Sequence, residues 1–266
     1  MTVLITGSSS GMGKTTALFL AKRGFSVYAG TRYPEKLQDI KEKNLHPIKL
    51  NVSSQTDIKN TLMNIPKIDI LINNAGYGLV STIEDLDENQ MLEQFNINVF
   101  GVLRVCKVVI PKMRIQKQGI IINISSFLGK IGLPLLTLYN SSKYAVEGIT
   151  DSLRYELRDF DIRVHSIMPG FFDTNFAREN LVTNKKTFDK NSPYFKIVST
   201  LTPQILNQIN SGNDAILVAK AILKIIEDRH SPARVTVGEK ASKFIPMRRE
   251  LSDEDFERRV REYYHL

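Results

Sequence analysis

An α/β fold of alternating strands and helices is predicted by three observations. The chain's 266 residues and 42% hydrophobic content suit one large domain with a sizeable core and suggest no second one. Continuous apolar runs alternate with segments of helical patterning along most of its length. The first of these runs, residues 2–6, ends in Gly7-Ser8-Ser9-Ser10-Gly11-Met12-Gly13, and helical patterning follows over residues 14–23.

Strand, glycine turn, helix is the layout of a phosphate site. Glycines let the backbone approach a pyrophosphate, and the helix N-terminus offers free N–H groups and a favourable dipole. The spacing Gly-x-x-x-Gly-x-Gly departs from the G-x-G-x-x-G fingerprint. Gly13-Lys14-Thr15 approaches a Walker loop, but the first glycine of that motif falls on Ser8.

Residues 26–31 read as the second strand, at whose end a dinucleotide fold meets the adenosine ribose. An acid there would bond the 2′-hydroxyl, whereas this chain has Thr31 and Arg32. A hydroxyl and a guanidinium suit a phosphate, which favours NADP(H) over NAD(H). A short polar helix is expected over residues 34–44, and a third strand over 46–52, ending Asn51-Val52, with His46 solvated in the loop before it. A helix over 55–64 and a strand over 68–72 lead into Asn73-Asn74-Ala75-Gly76, residues that suit a tight turn.

Residues 87–113 read as the first long helix. Asparagine is a poor helix-interior residue, so Asn96 and Asn98 ask for a reason: Asn98 caps or kinks the helix, or its amide reaches a site. The stretch 119–148 then reads as a buried strand, a loop beginning Ser125-Ser126, and a helix carrying Tyr139 and Lys143. Residues four apart share a helix face, so phenol and ammonium can act together. A nearby cation is expected to lower a phenol pKa that is about 10 unperturbed, letting Tyr139 exchange protons with an alcohol or ketone.

A sixth strand over 161–168 precedes Pro169-Gly170-Phe171-Phe172-Asp173-Thr174. Residues 175–211 are weakly periodic and carry Phe176, Phe188, Tyr194 and Phe195, the pattern of a lid over an apolar substrate. A helix over 213–228 and a strand over 234–237 complete a catalytic domain of residues 1–240. Residues 241–266 form a charged helical extension starting with Ser252-Asp253-Glu254-Asp255. It could dock on the body, pair with another subunit or lie on a membrane, docking being the default.

The net charge of +8 invites a nucleic-acid partner, yet Lys and Arg are dispersed among acids, which argues against one. The single cysteine, Cys106, excludes an internal disulfide and a cysteine-cluster metal site, and reads as a small buried hydrophobe. With no basic leader and no run of 18 apolar residues, a cytoplasmic protein without a transmembrane segment is expected.

Taken together, Thr6-Gly7-Ser8-Ser9-Ser10-Gly11-Met12-Gly13, Asn73-Asn74-Ala75-Gly76, Asn98, Ser126, the Tyr139–Lys143 pair and Pro169-Gly170 with Thr174 resemble the short-chain dehydrogenase/reductase family over about residues 2–240. Their order and spacing match, with Ser126 thirteen residues before Tyr139. The resemblance implies a Rossmann fold: a doubly wound, three-layer αβα domain on a parallel seven-stranded sheet. It implies Tyr139 as general acid/base, Lys143 on the nicotinamide ribose, Ser126 on the substrate oxygen, and Asn98 positioning a water that links Lys143 to solvent.

For the cofactor the resemblance implies contacts from Gly7, Ser9, Ser10, Gly11, Met12, Gly13, Thr31, Arg32, Asn51, Val52, Asn74, Ala75, Gly76, Tyr139 and Lys143. Ser10 and Arg32 would meet the 2′-phosphate, and Pro169, Gly170, Phe172 and Thr174 the carboxamide. Asn51 stands where the family usually has an aspartate, and its amide oxygen is expected to accept from the adenine amino group. The tail, Thr31-Arg32 and the aromatic lid look most like the hydroxysteroid and retinol dehydrogenase branch. The implied function is NADP(H)-dependent interconversion of an alcohol and its carbonyl, with an apolar substrate. A non-catalytic NADP(H) sensor or scaffold is the alternative. Family members pair through the helices at 88–113 and 138–158, so a homodimer or homotetramer is expected.

Overall fold

The computed structural model describes residues 1–174 and 181–266. Phe176, expected on the lid, lies outside them. In chain order the elements are β1 (Thr2–Thr6), α1 (Gly11–Ala21), β2 (Ser26–Thr31), β3 (Leu45–Lys49), α2 (Gln55–Met63), β4 (Ile70–Asn73), β5 (Gly78–Val80), α3 (Glu88–Phe95), α4 (Gly101–Gln116), β6 (Gly119–Ile124) and α5 (Thr137–Glu156). They continue as β7 (Ile162–Pro169), β8 (Phe172–Asp173), β9 (Leu181–Thr183), α6 (Phe195–Asn210), β10 (Asn213–Asp214), α7 (Ile216–Glu227), β11 (Arg234–Val237), α8 (Glu239–Glu250) and α9 (Asp253–Tyr264).

Seven strands form one parallel sheet in the order β11-β7-β6-β4-β1-β2-β3. Alternate residues of each strand feed opposite faces. Val3, Ile5, Ile70 and Ile72 pack with α1 and α7 through Leu20, Val218 and Ile222. Leu4, Leu71 and Ile121 pack on the other face with α2, α4 and α5 through Ile58, Val109 and Val146. Because both faces are covered, the strands read as continuous apolar runs. The chain leaves β1 in one direction to β2 and β3 and resumes on its other side at β4. That reversal opens a crevice at the carboxyl ends of β1 and β4, where this architecture binds ligands.

A third apolar cluster caps this carboxyl end. Phe127, Leu136 and Met168 meet Leu201 and Ile205 of α6, Phe244 of α8, and Phe256, Val260 and Tyr264 of α9. The terminal helix therefore docks on the body. Tyr264 is fully buried, and its carbonyl accepts from Gln204 Nε2 at 2.8 Å.

Four expectations need correction. The helix over residues 34–44 is a single 3-10 turn, Pro34–Leu37, because Leu37 alone of that turn is buried. His46 lies on β3, half-buried, its ring 5.2 Å from that of Tyr28. The long helix over residues 87–113 is broken into α3 and α4 by a π turn, Asn96–Phe100. The described part of the segment expected as a lid forms regular elements: β9 pairs with β5, and α6 buries Val198, Leu201, Ile205 and Ile209. Thr187 Oγ1 and Thr82 Oγ1 both donate to Asp85 Oδ2, at 2.7 and 2.6 Å, fastening the segment between β9 and α6 to the body.

Candidate active site

The phosphate turn is shaped by what cannot fit in it. Gly7 has φ +71°, and a Cβ there would lie 2.7 Å from the Cα of Ala75, so only glycine allows β1 to meet the Asn74–Ala75 turn. Thr6 Oγ1 accepts from the backbone N–H of Asn74 and of Ala75, each at 3.0 Å. Asn74 Nδ2 donates to the carbonyls of Thr6 and Gly7, also at 3.0 Å. The turn's polar atoms are thus satisfied across the switch point. At the head of α1, Ser10 makes no side-chain cap and no acid occupies the first turn. Its N–H groups are left for an anion.

A cleft of about 760 Å³ runs along this end of the sheet. Gly7, Ser9, Ser10, Gly11, Met12, Gly13, Thr31, Arg32, Asn51, Val52, Asn74, Ala75, Gly76, Tyr139, Lys143 and Thr174 all line it. Pro169, Gly170 and Phe172 line instead an adjoining cavity of about 70 Å³, which shares Met12, Ser125, Tyr139 and Thr174 with the cleft. Ser126, Phe127, Leu136, Leu181, Ile205 and Ile209 give that cavity a mainly apolar wall.

Residues that local patterns did not single out also line the cleft. Tyr33 and Lys36 stand beside Arg32, and both cations sit over the Tyr33 ring, at 5.4 Å for Arg32 and 5.5 Å for Lys36. The clustering of three such residues after β2 was a readable signal. Tyr77, Gln90, Glu93 and Val182 reach the cleft from separate elements, which no spacing in the sequence announces.

Asn51 lines the cleft, and its amide oxygen accepts from the N–H of Ser53 at 3.1 Å and from the Ser53 hydroxyl at 2.8 Å.

Tyr139 and Lys143 lie one turn apart on α5, and the lysine Nζ is 5.7 Å from the tyrosine ring centre. Ser126, at the start of the loop after β6, shares the wall of the adjoining cavity with Tyr139. Its Oγ accepts from the Leu128 N–H at 3.1 Å, which fixes the serine rotamer. Lys143 is 6% exposed and donates to the Ile124 carbonyl at 2.9 Å. Burial pushes the phenol of Tyr139 up to about 12, partly opposed by Ser126. The expected downward shift is therefore not the net effect. Burial pulls Lys143 down to about 8, opposed by the charge of Glu147.

Asn98 both breaks its helix and reaches this region. Its amide accepts from the Tyr77 N–H at 3.0 Å and donates to the Tyr77 carbonyl at 2.9 Å and Ser142 Oγ at 3.0 Å. Gly76 is the point of closest approach: a Cβ there would be 3.1 Å from Asn98 Oδ1 and 3.8 Å from Lys143 Nζ. A π turn at such a place aims a side chain that a regular helix would direct elsewhere. Cys106 is buried as expected, and desolvation pushes its thiol up to about 12, so it is inert.

The sequence matches the short chain dehydrogenase family over residues 1–185. Among curated relatives, the 3-ketodihydrosphingosine reductase of Bacteroides thetaiotaomicron is 34% identical over 89% of this chain and 87% of its own. Among solved structures, a short-chain dehydrogenase from Streptomyces avermitilis superposes with a TM-score of 0.83 at 27% identity, covering 99% of this chain and 95% of the other. A serine dehydrogenase in its closed form with NADP+ gives 0.75 at 25% identity, over 90% and 95% of the two chains. With the strand order, the glycine turn and the Ser126–Tyr139–Lys143 cluster in place, these matches establish that the chain belongs to the short-chain dehydrogenase family of oxidoreductases.

Proposed function

We propose that this chain is an NADP(H)-dependent reductase of an apolar ketone or aldehyde, the same site running in reverse on the alcohol. The observation that carries the reading is that Ser126 and Tyr139 meet on the wall of the apolar cavity where it joins the long cleft. It puts two hydroxyls where a carbonyl oxygen entering from the cavity would meet them.

The cleft suits the cofactor in shape and charge. The bare head of α1 and the approach permitted by Gly7 accommodate a pyrophosphate, while Arg32 and Lys36 would take a phosphate on the adenosine ribose. When bound, the nicotinamide supplies or accepts the hydride. Reduction of a carbonyl builds alkoxide charge on its oxygen, which the hydroxyls of Ser126 and Tyr139 would stabilise as it forms. Tyr139 would then give its proton to that oxygen. A phenol held near 12 is protonated at neutral pH and is still far more acidic than an alcohol, so it is a competent acid. As a base it would be mostly unavailable, which favours reduction at neutral pH.

Lys143 would hold the ribose hydroxyls and lend positive charge to the phenolate left behind. Asn98 would brace the Gly76–Tyr77 turn beside them. Phe127, Leu136, Ile205 and Ile209 offer an alkyl or ring substrate an apolar wall, in keeping with a branch that includes hydroxysteroid and retinol dehydrogenases or with a long-chain keto lipid. Oxidation of NADPH with a panel of such carbonyls, compared with short polar ones, tests this. Turnover confined to polar substrates would overturn the substrate class. We extend the reading to pairing through α4 and α5, whose surfaces expose Leu103, Tyr144 and Tyr155, with Phe100 of the π turn beside them; sedimentation at micromolar concentration checks it.

A further inference from the structure

A cavity of about 1150 Å³, larger than the cleft, lies outside the active site. It is a groove between the head of α5, the start of α6 and α9, and none of its lining residues lines the cleft or the adjoining cavity. Helix α5 stands between the two sites: Tyr139 lines the cavity, and the next residue, Asn140, lines the groove. Helix α6 does the same, with Ile197 and Thr200 on the groove and Ile205 and Ile209 on the cavity. Sites for small organic ligands run to about 300–1,000 Å³, so the groove has room for one.

Its walls are apolar, built by Leu133, Tyr144, Ile197, Phe256 and Val260, and they are interrupted by one buried amide. Asn140 is 6% exposed, and its Nδ2 donates to the Leu133 carbonyl at 3.1 Å. Its Oδ1 has no hydrogen-bond partner among the described residues, and a buried unpaired acceptor asks for a donor. Beside it, a Cβ on Gly132 would meet nothing nearer than Asn140 Nδ2 at 3.8 Å, so the missing side chain leaves a notch over the amide. The rim is charged. Asp253 takes Arg248 at 2.5 Å, and Glu257 lies 3.7 Å from Arg261. Lys196 also lines the groove and makes no ion pair among the described residues, so the three cations of the lining exceed its two acids by one.

We propose that this groove is a second ligand site, separate from the catalytic one, for a single-chain amphiphile that bears one negative head group and a hydrogen-bond donor. The chain lies along the apolar walls, whose burial supplies most of the affinity. The donor, a hydroxyl or an amide N–H, meets Asn140 Oδ1 in the notch at Gly132. Lys196 takes the head group and makes the site selective for negative charge. A second copy of this chain is the rival occupant. An unpaired acceptor beside a notch and a single surplus cation suit a narrow chain with one head group better than a broad protein surface. The site does not draw on the reductase reading, and its test reads binding rather than turnover.

The chain has no tryptophan to report on the groove, so binding is read by titration calorimetry of the whole protein. The probe is N-dodecanoylglycine below its micellar range, which carries a chain, an amide N–H and one carboxylate. Saturable one-to-one binding with a Kd on the order of 10 μM is expected, together with a raised melting temperature. N-dodecanoylsarcosine, which lacks the N–H, and the methyl ester of the probe, which lacks the charge, should each bind about tenfold more weakly. Gly132→Leu fills the notch and should weaken the probe about tenfold or more, while Lys196→Glu should weaken the acid and leave the ester unchanged. Thr137→Trp, at an exposed position on the same groove, is the second blocking variant if the leucine protein fails to fold. Absence of saturable binding, or binding undiminished by either blocking variant, would overturn the site. Equal affinity for acid and ester would overturn the class of ligand. Self-association of the wild type that Gly132→Leu abolishes, with no probe bound, would give the groove to a second copy and overturn the proposal.

Discussion

Burying the ammonium of Lys143 costs stability. Its pKa falls from 10.5 to about 8 on burial, which at about 1.36 kcal/mol per unit amounts to about 3 kcal/mol of stability forgone at neutral pH. A folded-state pKa below the unfolded one makes the cost full below about pH 8 and relieves it as pH rises toward 10.5. Wild-type stability should therefore climb between pH 8 and 10, before the raised tyrosines begin to work against it. Lys143→Met should lose that slope and, despite forfeiting the bond to the Ile124 carbonyl, melt at a higher temperature at pH 7 while losing turnover. Denaturant titrations at several pH values check this, and equal slopes in both proteins would contradict it. At the other end of the cleft, Arg32→Asp should shift preference toward NADH, and Lys36→Ala should weaken NADPH about tenfold with little effect on NADH. Unchanged selectivity in both variants would remove the phosphate reading of this corner.

At the level of elements, what was legible followed from local rules. The end of β1, the Asn74–Gly76 turn and the one-turn spacing on α5 are set by glycine sterics, buried apolar runs and helix periodicity. The π turn at Asn96–Phe100 was visible only as an oddity, because its cause is the distant backbone of Tyr77. Helix α6 was missed since Pro203 interrupts it and its apolar positions meet α9 and the loop after β6, contacts made only in the folded chain. Its role invites a test. The fully buried Tyr264 ring packs against those of Phe244 and Tyr263, so Tyr264→Ala should cost about 3–5 kcal/mol and raise KM for apolar substrates more than it lowers kcat. An unaltered KM would mean that α6 keeps its place without α9.

Across the whole molecule, the sheet order places the glycine turn, the amide turn and the Tyr139–Lys143 end of α5 at one end because the chain reverses direction beside β1. That much was implied by the strand and helix alternation and by the family's motifs. The electrostatics were not, since a pKa belongs to the assembled interior: proximity of Lys143 suggested a more acidic Tyr139, whereas burial dominates both groups. The same interior makes the protein a better proton donor than acceptor at neutral pH, so NADPH-driven reduction should exceed alcohol oxidation near pH 7 and the oxidative rate should rise with alkali. The most direct measurement of the central claim is carbonyl reduction by Tyr139→Phe beside NADPH binding by the same variant. Turnover reduced about a thousandfold or more with binding intact is predicted, and wild-type turnover in the phenylalanine variant would contradict it.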